Sequence, residues 1–120
     1  MRLQFETVEP FLIARIICTS MDSGNVRLFK KSVTEAVGER RCVLIVDLSK
    51  VEEIDSAGLG ALVAVLKWVR RFGGTLRVCG LQEPVRAAVQ LTMLHRIFPL
   101  HATVDEAIKA EDALTDGTSV

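Results

Sequence analysis

Five consecutive apolar residues, Cys42-Val43-Leu44-Ile45-Val46, stand between charged neighbours on both sides. The run is too short for a typical helix and lacks the alternation of a half-exposed strand, so it reads as a strand covered on both faces. A polar loop from Asp47 to Asp55 follows, and then apolar residues recur at helical spacing from about Ser56 to Phe72. Gly73-Gly74 stops that helix, and Thr75-Leu76-Arg77-Val78-Cys79 reads as a second strand. Strand, helix and strand make a βαβ unit, for which a right-handed crossover between parallel strands is the rule.

The flanking segments extend this unit. Leu3 and Phe5 alternate with polar residues, Glu9-Pro10 breaks the run, and Phe11 to Cys18 is rich in β-branched and aromatic residues, which predicts two strands joined by a tight turn. Asp22, Ser23 and Asn25 offer caps to a helix carrying Val26, Phe29, Val33 and Val37 inward, with Arg27, Lys30, Lys31 and Glu35 solvated and Gly38 as the stop. Pro84 suits the first turn of a helix bearing Val85, Ala88, Val89 and Thr92. Ile97-Phe98-Pro99-Leu100 reads as a short edge strand, and Thr103-Val104-Asp105-Glu106 has capping-box spacing for a last helix. The expected architecture is α/β: a single mixed, mostly parallel sheet of about four to five strands with about four helices packed on it. One domain over residues 1–110 and a polar, frayed tail over 111–120 complete the expectation.

Composition narrows the function. The 120 residues carry 15 Lys plus Arg against 15 Asp plus Glu, so no net positive charge is available to grip a phosphate backbone, and direct nucleic-acid binding is not expected. The longest apolar stretch, Ala57 to Leu66, is well short of the roughly 18 residues of a membrane span, and membrane insertion is not expected. Met1 to Glu6 lacks the order of a secretory signal. Cys18, Cys42 and Cys79 are odd in number and set in apolar runs, which points to buried thiols in a reducing cytoplasm rather than disulfides or zinc.

Glu52-Glu53-Ile54-Asp55-Ser56-Ala57-Gly58-Leu59-Gly60 runs from the central strand into a helix N-terminus, where open α/β sheets place ligands and partners. A Ser56 hydroxyl there meets free backbone amides and the positive end of the helix dipole, and it can carry a phosphate without unfolding its helix. Asp55 or Ser56 could equally be a plain N-cap. A capping box from Ser56 would want Glu or Gln at position 59, which is Leu59. Gly58 and Gly60 each cost about 1 kcal/mol relative to alanine inside a helix, so a close approach to that turn is expected. Enzymatic readings of the segment fail. Val63 stands where a dinucleotide fingerprint needs glycine, there is no Walker lysine, and Ile54 replaces the first glycine of a hydrolase elbow. His95 and His101 read as surface or half-buried residues, not catalytic bases. No cofactor is expected.

In the long helix Leu59, Leu62, Val63, Leu66 and Val69 fill a core stripe, while Gly60, Ala64, Lys67 and Arg71 form a small or charged face. Ala61, Val65, Trp68 and Phe72 widen the apolar arc beyond what one-sided burial needs. Packing on a neighbouring helix is the favoured reading of that surplus, and a partner face anchored by Trp68 is the alternative.

Val43 to Ser49, Val51, Ile54 to Gly60, Gly73-Gly74-Thr75-Leu76 and Arg96-Ile97-Phe98-Pro99 together resemble the STAS domain, the sulfate transporter and anti-sigma factor antagonist family. The resemblance covers about residues 3–110, and a lone domain looks most like the bacterial anti-sigma factor antagonists. It implies a non-enzymatic protein whose unmodified form binds an anti-sigma factor that is also a serine kinase, releasing sigma factor. Phosphorylation at the serine matching Ser56 switches it off, with a serine phosphatase as a further partner. Asp22 and Asp55 match the family's aspartates, and Ala57, Gly58, Leu59 and Gly60 complete the implied site. Thr19-Ser20-Met21 replaces a stretch that often carries glycine, and Met93 and His95 stand in place of a usual Gly and Asp. Other unfused relatives serve as constitutive subunits of stress-signalling assemblies or of ABC-type lipid transport systems, which is the alternative function. A nucleotide or small-molecule sensor is weaker, for want of a phosphate-binding motif.

Overall fold

The apolar run at 42–46 becomes the middle of a five-stranded sheet. The computed structural model describes residues 1–110, which form β1 (Arg2–Val8), β2 (Phe11–Ile17), β3 (Ser20–Met21), α1 (Val26–Val37), β4 (Val43–Asp47), β5 (Glu53–Ile54), α2 (Ser56–Arg71), β6 (Thr75–Cys79), α3 (Glu83–Leu91), a 3-10 turn (Leu94–Arg96), β7 (Leu100–His101) and α4 (Val104–Lys109). The expected tail at 111–120 lies outside the described residues. The sheet runs β1-β2-β4-β6-β7, with β1 antiparallel to β2 and the other pairs parallel.

Strand register sorts the core into two layers. Leu12, Leu44 and Leu76 lie side by side across β2, β4 and β6, as do Ala14, Val46 and Val78. Both rows are buried, facing Phe29, Val33 and Val37 of α1, Leu62, Val65 and Val69 of α2, and Val85 and Val89 of α3. Ile13, Ile45 and Arg77 form the intervening row on the other face, under Ala107 of α4. Among the described residues Arg77 is the one charged residue buried in this layer. Its guanidinium stacks 5.7 Å from the Phe11 ring and donates to the Ala107 carbonyl, so the charge is not left bare. Three crossover helices on one face and one short helix on the other are what a parallel sheet needs for burial.

Three local expectations shift. The edge strand expected at Ile97 to Leu100 starts later: residues 94–96 make the 3-10 turn, Phe98 turns into the core, and β7 is Leu100–His101. Pro99 has no N–H to give, but its carbonyl accepts from Val78 N at 3.0 Å and so begins the pairing with β6. Asn25 occupies the N-cap position of α1 but its side chain does not cap the helix. In α2 the buried stripe contains Ala61 and Val65, while Leu59 and Val63 are only half-buried, because α1 packs beside α2 and rotates the stripe toward itself. Gly73, at φ 81°, and Gly74, whose added Cβ would lie 2.4 Å from the Cys42 carbonyl oxygen, make the turn into β6.

Met93, at φ 64° and ψ 16°, holds the left-handed conformation between α3 and the 3-10 turn, and among the described residues no other non-glycine has positive φ. Left-handed backbone costs an L-residue about 1–2 kcal/mol, against about 0.5–1 kcal/mol of extra chain entropy for glycine. Met93→Gly is therefore expected to raise stability by about 0.5–1 kcal/mol, read as a higher urea midpoint at unchanged slope.

Candidate functional site

Beyond the ends of β2 and β4 the chain builds a second, two-stranded parallel ladder, which the sequence reading did not foresee. Ser20 pairs with Glu53 and Met21 with Ile54. The residues that follow these pairs are Asp22 and Asp55, so the ladder brings the two expected aspartates to one edge of the molecule. The Asp55 amide donates to the Met21 carbonyl at 3.1 Å, and the amides of Glu52 and Glu53 donate to the Thr19 carbonyl at 2.8 and 3.1 Å.

Asn25 holds the first of these loops. Its Oδ1 accepts from the Asp22 amide at 3.0 Å and its Nδ2 donates to the Ser20 carbonyl at 2.7 Å, which explains why it does not cap α1. Asp22 Oδ1 accepts from the Gly24 amide at 2.9 Å. Sequence reasoning had Asn25 only as a cap. Its residue type signalled a local side-chain-to-backbone bond, but not its direction.

The choice between Asp55 and Ser56 as cap is decided by geometry. Asp55 is extended, at φ −104° and ψ −173°, and its Oδ1 accepts from the Gly58 amide at 3.0 Å. Ser56 is then the first residue of α2, exposed, with its hydroxyl free of capping duty. The amides of Ser56 and Ala57 precede the first turn's intrahelical bonds, and no acidic residue occupies that turn. Around this positive helix end stand Glu52, Glu53 and Asp55, all exposed, and Asp22, half-buried. The arrangement presents an exposed hydroxyl at a helix terminus, in a pair of loops that carry four carboxylates.

The two glycines of the turn differ in kind. An added Cβ on buried Gly58 would lie 2.6 Å from the Met21 carbonyl oxygen and 2.5 Å from Cγ1 of Ile54, so Gly58 is where α2 meets the ladder. Gly60 is exposed and a Cβ there meets nothing within 4 Å. The close approach expected at this turn is internal at Gly58. Ala57 and Leu59, on either side of Gly58, are half-buried.

Trp68 lies about 18 Å along α2 from Ser56. It is half-buried, its indole N–H donates to the Gly38 carbonyl at 3.0 Å, its ring meets Phe72 edge-on at 5.5 Å, and the Arg71 guanidinium sits 5.5 Å from it. Its contacts thus join α2 to the end of α1, the helix-packing alternative for the apolar surplus. His95 is exposed and His101 half-buried, with burial and the Arg77 guanidinium holding the His101 imidazole below its usual range. Cys42 and Cys79 are buried as expected and Cys18 only half-buried. Burial raises all three thiols, Cys79 to about 12 with Asp47 adding to the effect. On the α4 side, a crevice at the strand ends is lined by Arg15, Asp47, Ser49 and Gly80. Its cation, Arg15, is paired with Glu6 at 2.9 Å.

This fold and this loop are those of a known class of domain. The STAS domain model matches residues 2–107, and the chain belongs to the STAS family. A Thermotoga neapolitana protein named as a candidate anti-sigma factor antagonist is 36% identical over 88 residues, covering 71% of this chain and 76% of its own length. The anti-sigma F factor antagonist of Paenibacillus polymyxa is 24% identical over 102 residues, 84% of this chain and 86% of that one. Among solved structures, an anti-sigma factor antagonist from Mycobacterium paratuberculosis superposes with a TM-score of 0.81 at 25% identity, covering 91% of this chain and 92% of that one.

Gly58→Ala is expected to lose about 1–3 kcal/mol through overpacking against the Met21 carbonyl. Gly60→Ala should instead gain up to about 1 kcal/mol from helix propensity. Chemical denaturation of the pair reads the contrast directly.

Proposed function

We propose that this protein is an anti-sigma factor antagonist, a non-enzymatic binding module of the bacterial cytoplasm that is switched by phosphorylation of Ser56. In this reading the unmodified chain binds an anti-sigma factor that is also a serine kinase, and so frees sigma factor. The kinase supplies ATP, metal and base, and transfers the γ-phosphoryl group to Ser56 Oγ. A serine phosphatase reverses the step. The observation that carries the proposal is the exposed Ser56 at the first position of α2, with the capping role taken by Asp55. The names of the relatives that cover most of this chain support the same role.

The physics of a binding switch follows from the loop's charge. Phosphate adds about −1.5 to −2 charges at neutral pH. A like charge about 5 Å away costs about 3 kcal/mol at an effective dielectric of about 20, the regime reached when a partner covers the turn and excludes water. The helix terminus returns only about 0.3–1 kcal/mol. The phosphate is thus tolerated by the free protein and repelled at the interface, and a loss of about 3 kcal/mol is about a hundredfold in affinity.

Intact mass of the native protein, with and without phosphatase, tests the modification. The expected result is one phosphatase-sensitive phosphate at Ser56. With the kinase in hand, Ser56→Ala should bind as the parent does and resist phosphorylation, while Ser56→Asp should bind about tenfold or more weakly by calorimetry. Equal affinity of all forms would favour a constitutive subunit in which Trp68→Ala, not Ser56→Asp, impairs assembly.

A further inference from the structure

The two edges of the five-stranded sheet are finished differently. β7 is two residues long and is preceded by Pro99, a short edge that offers little backbone to a further strand. β1, at the other edge, runs seven residues without proline, and each residue from Arg2 to Val8 has its partner on β2 in unbroken register, so no bulge twists the edge away. Six of those seven residues are exposed, Phe5 by 40%, and among the described residues no strand other than β2 pairs with β1. An edge of this length presents a row of unpaired amides and carbonyls, which a further strand completes.

The side chains along that edge specify which strand. Register against β2 places Arg2, Gln4 and Glu6 on the sheet face of Ile13 and α4, and places Leu3 and Phe5, opposite Ile16 and Ala14, on the face of α1. On the first face charge alternates outward across the strands. Asp47 of β4 lies 4.0 Å from Arg15 of β2, Arg15 holds Glu6 of β1 at 2.9 Å, and the Glu6 side chain is still 53% exposed at the rim. Arg2 makes no ion pair among the described residues. Within Arg2-Leu3-Gln4-Phe5-Glu6 the order is cation, apolar, amide, apolar, anion, which is its own complement when reversed.

The geometry points to a second copy of this chain as the further strand, paired antiparallel through β1 about a two-fold axis at Gln4. Arg2 of each copy then faces Glu6 of the other, Leu3 faces Phe5, and Gln4 faces Gln4, so two ion pairs form on one face and a four-residue apolar cluster on the other. That cluster continues the core layer against which Leu3 already packs. Other alignments lose the match. Centred on Phe5, Arg2 faces Val8 and Glu6 faces Gln4, while a parallel alignment in register sets Arg2 against Arg2 and Glu6 against Glu6. Of the charges nearby, Glu9 falls beyond the paired residues and is held by Arg40 at 3.4 Å, and Arg27, Lys30 and Lys31 belong to α1, on the opposite face of the sheet from Arg2 and Glu6. β1 contains neither Ser56 nor any residue of the β3-β5 ladder, so the surface adds to the proposed switch without resting on it.

Sedimentation velocity of the full chain over a concentration series tests the assignment. The parent should pass from monomer to dimer as concentration rises, and added salt should weaken the dimer. Arg2→Glu and Glu6→Arg, each alone, set like charges face to face twice across the axis, and each should raise the dissociation constant about tenfold or more. Mixed in equal amounts, the two variants should form a heterodimer about as tight as the parent dimer, because one chain then offers two acids on this face and the other two bases. Recovery in the mixture also shows that both variants are folded. A parent that stays monomeric up to about 1 mM overturns the proposal. So does a dimer that each single variant forms as tightly as the parent, or a mixture that regains no tight dimer although circular dichroism shows both chains folded.

Discussion

Parallel pairing on both sides of β4 is the constraint from which the rest of the molecule follows. Leu44 and Val46 are matched by Leu12 and Ala14 on one side and by Leu76 and Val78 on the other, and none of the six leaves water to face. Parallel strands cannot be joined by a hairpin, so each neighbour of β4 is reached through a crossover helix that covers the sheet. A crossover also brings the next helix to begin beside the carboxyl end of the strand it follows. The position of Ser56 at the start of α2, beside the end of β4, is a consequence of burying Leu44 and Val46.

The short β3-β5 ladder converts that position into a site. By itself, the loop between β4 and α2 could leave Asp55 anywhere near the helix start. Two backbone pairs, Ser20 with Glu53 and Met21 with Ile54, tie it to the loop that carries Asp22. The Met21 carbonyl then does two things: it accepts from Asp55 and it approaches the Cα of Gly58 so closely that no side chain fits. Asp55 caps the helix, the cap relieves Ser56 of that duty, and the hydroxyl stays available. Under the proposed switch, a phosphate on Ser56 would change surface charge without requiring any of these bonds to break.

The two ends of α2 are held by different contacts. Its N-terminus carries Ser56 behind the Asp55 cap, while its C-terminal half is anchored internally by the Trp68 bond to Gly38 and by the Arg70 bond to the Ile97 carbonyl.

Periodicity alone sufficed for the strand at 42–46, the crossover helix and the strand at 75–79, because burial on one or both faces writes itself into the order of apolar residues. Composition likewise excluded a membrane-spanning helix of ordinary length. Only the tertiary structure decided what depends on contacts between distant segments: the ladder of Ser20-Met21 with Glu53-Ile54, Asn25 turned back onto Asp22 rather than onto its own helix, and the rotation of the α2 stripe toward α1. It also moved the last edge strand to Leu100–His101, since the bond the Pro99 carbonyl accepts from the Val78 amide and a core place for Phe98 outweigh local strand propensity. The same holds for the glycines of the loop, which look alike in sequence. Gly58 is demanded by a carbonyl 37 residues earlier in the chain and Gly60 by nothing among the described residues, and no local pattern can encode a distance between residues that only folding brings together.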